Sequence, residues 1–274
     1  MPSPSKSQDT PLSVPAFVAR KKSGPPLVVL TAYDAPSARA AEAGGVDALL
    51  VGDSLGNVLL GEKTTLNVTL AQMIHHARAV GRARQRALLI FDMPWMTYHL
   101  GPEDTLRNAA RAIRESGADA VKLEGGRKRV PVIRALLDAE IPVMGHIGLT
   151  PQSVLAMGGY RVQGRGAAEA EALLEDARAL VAAGVFSIVL EGLPGGLAAR
   201  ITEAVEVPTI GIGAGSHCDG QVLVFHDLLG MHPEPQPRFV RRYAEIFEQQ
   251  VQAIGRWVGD VRSGAFPSDE ETYH

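Results

Sequence analysis

The feature that most constrains the fold is a unit that recurs along the chain. Each copy has a glycine, a short run of aliphatic and β-branched residues, and an acid at or just past the end of that run. Gly45-Val46-Asp47-Ala48-Leu49-Leu50-Val51-Gly52-Asp53, Gly117-Ala118-Asp119-Ala120-Val121-Lys122-Leu123-Glu124 and Gly184-Val185-Phe186-Ser187-Ile188-Val189-Leu190-Glu191 share it, and Ala87-Leu88-Leu89-Ile90-Phe91-Asp92 repeats its second half. A glycine so placed ends a helix, and a continuous apolar run is the mark of a strand covered on both faces in a parallel sheet. In parallel α/β folds the carboxyl ends of the strands face one common rim. Carboxylates at the ends of several such strands therefore point to a single site.

Around these units strands and helices alternate. Strands are expected at 27–32, 45–52, 87–91, 119–124, 142–147, 184–191, 207–213 and 222–225. Helices are expected at 35–43 behind Asp34, from Thr69 to about residue 84, at 102–117, 130–139, after Thr150-Pro151, and at 167–183, 197–204 and 237–257. The last carries Phe239, Val240, Tyr243, Ile246, Phe247 and Val251 as a stripe suited to covering the sheet. Eight alternating strands in about 250 residues is the count of a (β/α)8 TIM barrel, class α/β, which right-handed crossovers close. Residues 214–221 are too few for a helix, so the last unit must be degenerate, and a doubly wound open sheet is the alternative. Residues 53–68 form a connection long enough to suggest function. Residues 1–12 read as a flexible, Ser/Pro-rich tail and 13–274 as one barrel domain.

Composition removes several classes of function. A net charge of −3 argues against non-specific binding to nucleic acid or to an anionic membrane, and Arg127-Lys128-Arg129 is too short a run to change that. No window approaches the ~18 apolar residues of a membrane span, and the start of the chain resembles neither a signal peptide nor an anchor. The single cysteine, Cys218, excludes an intrachain disulfide framework and any CxxC metal site, and it reads as a small buried residue. A cytoplasmic location is the resulting expectation.

Asp53, Asp92 and Glu124 come from strands two, three and four, neighbours in a barrel. Three hard oxygen donors without a His or Cys suit Mg²⁺, although each alone could be a turn former or a cap. Lys122 shares a strand face with Glu124, so it either holds charge on an anionic substrate or forms a structural ion pair. Glu191, across the mouth, is a general base or a solvated strand end. His146 is a core residue, a structural hydrogen-bonding group or a substrate donor. Gly211-Ile212-Gly213-Ala214-Gly215 fits a phosphate-cradling turn less well than a plain tight turn.

The stretches Leu30-Thr31-Ala32-Tyr33-Asp34, Val51-Gly52-Asp53-Ser54-Leu55-Gly56, Asp92-Met93-Pro94, Val121-Lys122-Leu123-Glu124-Gly125-Gly126 and Gly145-His146-Ile147-Gly148-Leu149-Thr150-Pro151-Gln152 belong together. With IGIGAGSHCDGQVLV at 210–224 and Gly264-Ala265-Phe266-Pro267, they resemble the ketopantoate (3-methyl-2-oxobutanoate) hydroxymethyltransferase family over nearly the whole chain from about residue 12. The resemblance implies a barrel of the phosphoenolpyruvate/pyruvate-binding type, with Mg²⁺ on Asp53, Asp92 and Glu124. It implies 3-methyl-2-oxobutanoate in contact with Asp53, Ser54, Asp92 and Lys122, joined by His146 if that residue is a substrate donor, and Glu191 as proton acceptor. It further implies 5,10-methylenetetrahydrofolate as co-substrate, a place in pantothenate biosynthesis, and a homo-oligomer, typically a decamer. Loops 56–68 and 158–166 are candidates to hold the folate. Trp95 departs from the family in standing where a smaller aromatic is usual, which bears on pocket shape. Two rivals are a Mg²⁺-dependent lyase or mutase of the same barrel superfamily and a catalytically silent barrel. The lyases carry a Lys-Cys-Gly-His motif, whereas Cys218 here lies in Ser216-His217-Cys218-Asp219. Retention of the carboxylates and Lys122 speaks against the silent barrel.

Overall fold

The computed structural model describes residues 11–21 and 23–274. Most of the expected tail lies outside them. Leu12 does not belong to a tail: its N–H donates to the Arg86 carbonyl at 2.8 Å and its side chain packs on the core.

The chain divides into two compact units, one running to Val224 and one from Phe225 to His274. In the first, eight strands follow one another around a closed, all-parallel barrel: β1 (Leu27–Thr31), β2 (Ala48–Val51), β3 (Leu88–Asp92), β4 (Ala120–Glu124), β5 (Val143–Gly148), β6 (Ser187–Glu191), β7 (Thr209–Ile212) and β8 (Gly220–Leu223). The helices of this unit are α1 (Val14–Ala19), α2 (Ala35–Ala43), α3 (Leu55–Val58), α4 (Leu70–Ala83), α5 (Pro102–Ser116), α6 (Val130–Asp138), α7 (Val154–Met157), α8 (Ala167–Ala183) and α9 (Gly195–Ala204). Their ends follow local chemistry. Asp34 with Ser37, and Thr69 with Gln72, form reciprocal capping boxes that start α2 and α4. Gly117 and Gly184, both left-handed, close α5 and α8.

The barrel interior follows strand parity. Leu27 and Val29, Ala48 and Leu50, Leu88 and Ile90, with Ala120, Met144, Val189, Ile210 and Val222, make one apolar cluster. Phe17 of α1 enters it from the amino-terminal end, edge-on to Phe186 at 5.8 Å between ring centroids. Two residues further along the same faces stand Asp92, Lys122, His146 and Glu191, followed on β4 by Glu124. The interior is thus apolar below and ionisable above.

The opposite rim carries acids of its own. Asp47, Asp119 and Asp219 precede β2, β4 and β8, and each accepts the N–H of a residue on a neighbouring strand: Val28 at 2.8 Å, Leu89 at 2.9 Å and Thr209 at 2.8 Å. Each also meets a cation, respectively Arg20 at 3.2 Å, Arg84, and Lys21 at 2.8 Å.

Several expectations need correction. β8 begins at Gly220, two residues earlier than expected, because Leu27 pairs with Gly220, where a Cβ would lie 2.4 Å from the Leu27 carbonyl oxygen. The Thr150 hydroxyl caps no helix: a 3-10 turn, Pro151–Ser153, leads into the four-residue α7. The 53–68 connection contains α3 and a second 3-10 turn, Thr65–Asn67. As expected, no helix separates β7 from β8.

In the second unit α10 (Phe225–Leu229) is followed by α11 (Ile246–Ser263), which starts nine residues later than the 237–257 expectation. The preceding backbone is engaged otherwise. Tyr243 N–H donates to the Leu228 carbonyl, and the Arg242 guanidinium donates to the carbonyls of His232 and Glu234. Among the described residues no helix is long and apolar enough to cross a membrane.

Candidate active site

Register places the ionisable groups at the carboxyl-terminal rim. Asp92 on β3 lies directly across from Lys122 on β4, Glu124 across from His146 on β5, and Gly148 on β5 across from Glu191 on β6. A Cβ at Gly148 would come within 2.2 Å of the Glu191 carbonyl oxygen, and its φ of +99° favours glycine as well. Asp53 follows β2 by way of Gly52 and is 4% exposed; Asp92, Lys122, Glu124 and His146 are equally buried.

These groups form one connected network. Lys122 Nζ donates to Asp92 Oδ1 at 2.6 Å, so the structural ion pair that the sequence allowed is present. The Asp53 N–H reaches Asp92 Oδ2 at 3.4 Å. His146 lies between two acids, Nδ1 at 3.5 Å from Glu124 Oε1 and Nε2 at 3.2 Å from Glu191 Oε2. Neither ring nitrogen meets hydrogen-bond geometry, so these contacts are electrostatic in character. Ser54 Oγ is 2.8 Å from the Tyr33 hydroxyl.

Burial sets the proton affinities, and neighbouring charges correct them. Asp53 is pushed well above the usual carboxylate range by desolvation and by repulsion from Asp92 and Glu124, which Lys122 and Gln152 offset only in part. Asp92 is raised by burial despite Lys122. Burial would raise Glu124 too, but His146, Lys122 and the Gln152 N–H outweigh it and the net shift is downward. For His146, burial and Lys122 favour the neutral ring, yet the flanking carboxylates win and lift it to about 9. Lys122 is opposed by burial and held charged by Asp92, Glu124 and Asp53.

The donor set fits a hard divalent ion. Asp53, Asp92 and Glu124 offer only oxygen, and the strained charge on Asp53 is what such an ion would relieve. Among the described residues no group of three or more His, Cys, Asp or Glu side chains stands in a ligating array. Lys122 holds Asp92, and Gln152 holds Asp53 and Glu124.

Two participants escape a reading of the sequence. Gln152 donates from Nε2 to Asp53 Oδ2 at 2.9 Å and from its backbone N–H to Glu124 Oε2 at 3.0 Å, and Tyr98 donates its hydroxyl proton to Gln152 Oε1. Neither residue type is distinctive in a loop. The available signal was position, since Gln152 follows β5 and Tyr98 follows Asp92, both at the functional rim. Cys218, by contrast, lies just before β8 at the other end of the barrel, its thiol raised by burial.

The fold has solved counterparts. The chain superposes on a solved 2,3-dimethylmalate lyase, described as a member of the PEP mutase/isocitrate lyase superfamily, with a TM-score of 0.59 over 95% of this chain and 91% of that one; at 18% identity this is a likeness of fold. The fold is therefore a (β/α)8 barrel, as in that lyase.

Sequence comparison narrows this. A profile described as ketopantoate hydroxymethyltransferase matches residues 11–269. The 3-methyl-2-oxobutanoate hydroxymethyltransferase of Pelobacter propionicus is 54% identical over 96% of this chain and 97% of its own length, and that of a Methylobacterium strain is 56% identical over 95% and 90%. The chain belongs to the ketopantoate hydroxymethyltransferase family and is a transferase enzyme.

Proposed function

We propose that this enzyme moves a hydroxymethyl group from 5,10-methylenetetrahydrofolate to 3-methyl-2-oxobutanoate, giving 2-dehydropantoate and tetrahydrofolate in pantothenate and coenzyme A biosynthesis. The observation that carries the reading is the line Asp92–Lys122 and Glu124–His146–Glu191 across one buried rim. It sets an acid that can accept a proton beside groups suited to an α-keto acid, and the named relatives supply the identity of that acid.

Asp53, Asp92 and Glu124 would hold Mg²⁺, which as a Lewis acid polarises the keto acid and eases loss of the adjacent proton. Glu191 accepts that proton from C3. His146, kept positive by its two acids, stands 3.2 Å from Glu191 Oε2 and sets a positive charge beside the proton acceptor. The electron pair of the broken C–H bond moves into the enolate, whose developing charge faces the Lys122 ammonium. Ser54, tied to Tyr33, is a further donor at the same mouth. The enolate carbon then forms a C–C bond with the folate methylene carbon. Of the two C–N bonds lost by that carbon, one is replaced by the new C–C bond and the other by a C–O bond from water. The C3 proton and one water proton end on the two folate nitrogens.

Loops 56–68 and 158–166 are the proposed folate contacts. Tyr160 in the second is half exposed, and its hydroxyl is raised by burial and by the charges of Asp53, Glu191 and Glu124 across the mouth. Trp95 adds an exposed aromatic surface beside Asp92. We also propose a cytoplasmic, homo-oligomeric enzyme, decameric as the family resemblance implies, which sedimentation of the purified chain tests.

Proton NMR of 3-methyl-2-oxobutanoate in D₂O tests the chemistry. Metal-dependent loss of the C3 proton, followed by a hydroxymethyl signal only when methylenetetrahydrofolate is added, is the expected result. Neither event in folded, Mg²⁺-binding protein would overturn the proposal and return the lyase reading.

A further inference from the structure

Gln152 is 5% exposed and every polar group on its side chain is engaged. Its two amide hydrogens go to Asp53 Oδ2 at 2.9 Å and to the Met93 carbonyl at 3.0 Å. Its Oε1 accepts from Tyr98. The direction of that last bond follows from its neighbours. The Glu124 N–H, 3.2 Å from the Tyr98 oxygen, can only donate, so the Tyr98 hydroxyl accepts there and sends its own proton to Gln152. Turning the amide over would set Oε1 against a carboxylate and a carbonyl and set NH₂ against a hydroxyl proton. The network therefore permits one orientation. Separately, the Gln152 backbone N–H donates to Glu124 Oε2 at 3.0 Å.

The residue thus spans the rim from Asp53 on the β2 side to Glu124 on β4, and it is rigid at both ends. Lys122 is bonded to Asp92, so the hydrogen bonds that join the Asp53 and Glu124 side chains run through Gln152.

The geometry points to Gln152, locked by Tyr98, as a positioning residue that fixes Asp53 and Glu124 relative to each other and so sets the affinity of the rim for a divalent cation. The inference rests on the reading of those carboxylates as Mg²⁺ ligands. Groups that orient metal ligands commonly change affinity by about 10–100-fold when removed. Mg²⁺ titrated alone into the full chain and followed by calorimetry should therefore bind Gln152→Ala about 10–100-fold more weakly than wild type. The loss in Tyr98→Phe, which removes the lock and keeps the ring, should be smaller. In turnover, the Mg²⁺ concentration for half-activation should rise in the same order while kcat at saturating Mg²⁺ stays within a few-fold.

Asp53→Ala serves as the control, and it should bind no Mg²⁺ at this site. Wild-type protein that binds Mg²⁺, with unchanged affinity in both Gln152→Ala and Tyr98→Phe, overturns the positioning role and leaves the metal reading standing. Equal binding by wild type and Asp53→Ala, or none by wild type, removes the metal reading and the inference with it. If Gln152→Ala does not fold, Tyr98→Phe decides alone: wild-type affinity in that variant would overturn the proposal.

Discussion

The two rims of the barrel use the same residue type to opposite ends. At the amino-terminal rim Asp47, Asp119 and Asp219 each accept a backbone N–H from a neighbouring strand and each meet an Arg or Lys. Those carboxylates satisfy edge donors, and their charges are matched one to one. At the carboxyl-terminal rim Asp53, Asp92, Glu124 and Glu191 share two cations, Lys122 and His146. Like charges buried together destabilise the fold and raise proton affinities, a cost that the proposed binding of an ion and an anionic substrate would offset. The lesson is that an acid at a strand end is informative only with its rim: before a strand it ties neighbouring strands together, and after a strand it joins the buried ionisable cluster.

The contrast is testable. Glu191→Gln should lower turnover by about 10²–10⁴-fold, the range for loss of a general base, while thermal stability and keto-acid binding, read by melting and calorimetry, stay close to wild type. Full activity in that variant would remove Glu191 from the proton-transfer role. On the other rim, Asp219→Ala removes the acceptor of the Thr209 N–H and the counter-charge of Lys21, which keeps only the Thr202 carbonyl, and should cost ~3 kcal/mol in denaturant unfolding, with kcat per folded molecule unchanged. Loss of activity without loss of stability there would break the division between rims.

Smaller effects sharpen the same comparison. Asp53→Asn removes a carboxyl whose ionisation burial and its neighbours oppose, so where that group is ionised the metal-free protein should gain up to about 1 kcal/mol, or roughly 2–4 °C in Tm for a chain of this size, while losing activity. A fall in Tm would mean that Asp53 is better compensated than its surroundings indicate. The pH dependence of the metal-free protein should carry the mark of His146. Its proton affinity rises on folding, from the ordinary 6.5 to about 9, so the folded state binds the extra proton between those values. The stabilisation is complete below the lower value and disappears as pH climbs through the upper one. Tm measured from pH 6.5 to 9.5 should decline in wild type and decline less in His146→Gln; parallel curves would show that another group titrates.

Much of this architecture was legible in the chain. The glycine–strand–acid unit placed the early strands to within a few residues because its signals are local: helix stops, caps and apolar runs each act within one turn or one strand. Asp34 and Thr69 begin their helices where expected for the same reason. Errors fell where the deciding partner is remote in sequence. β8 starts at Gly220 because Leu27 pairs with it from the far end of the barrel unit, and α11 starts at Ile246 because the Tyr243 N–H and the Arg242 side chain before it bond back to residues 228, 232 and 234.

The site divides in the same way. The sequence by itself determined which ionisable groups share a strand face, because alternation is a property of a single strand, and with it that Lys122 and Glu124 point inward together. It also determined that acids end β3, β4 and β6. Only the closed barrel decided that Lys122 goes to Asp92, that His146 stands between Glu124 and Glu191, and that an unremarkable Gln152 joins Asp53 to Glu124. Those pairings depend on strand register and loop placement across up to 99 residues of chain, distances over which no local pattern carries information.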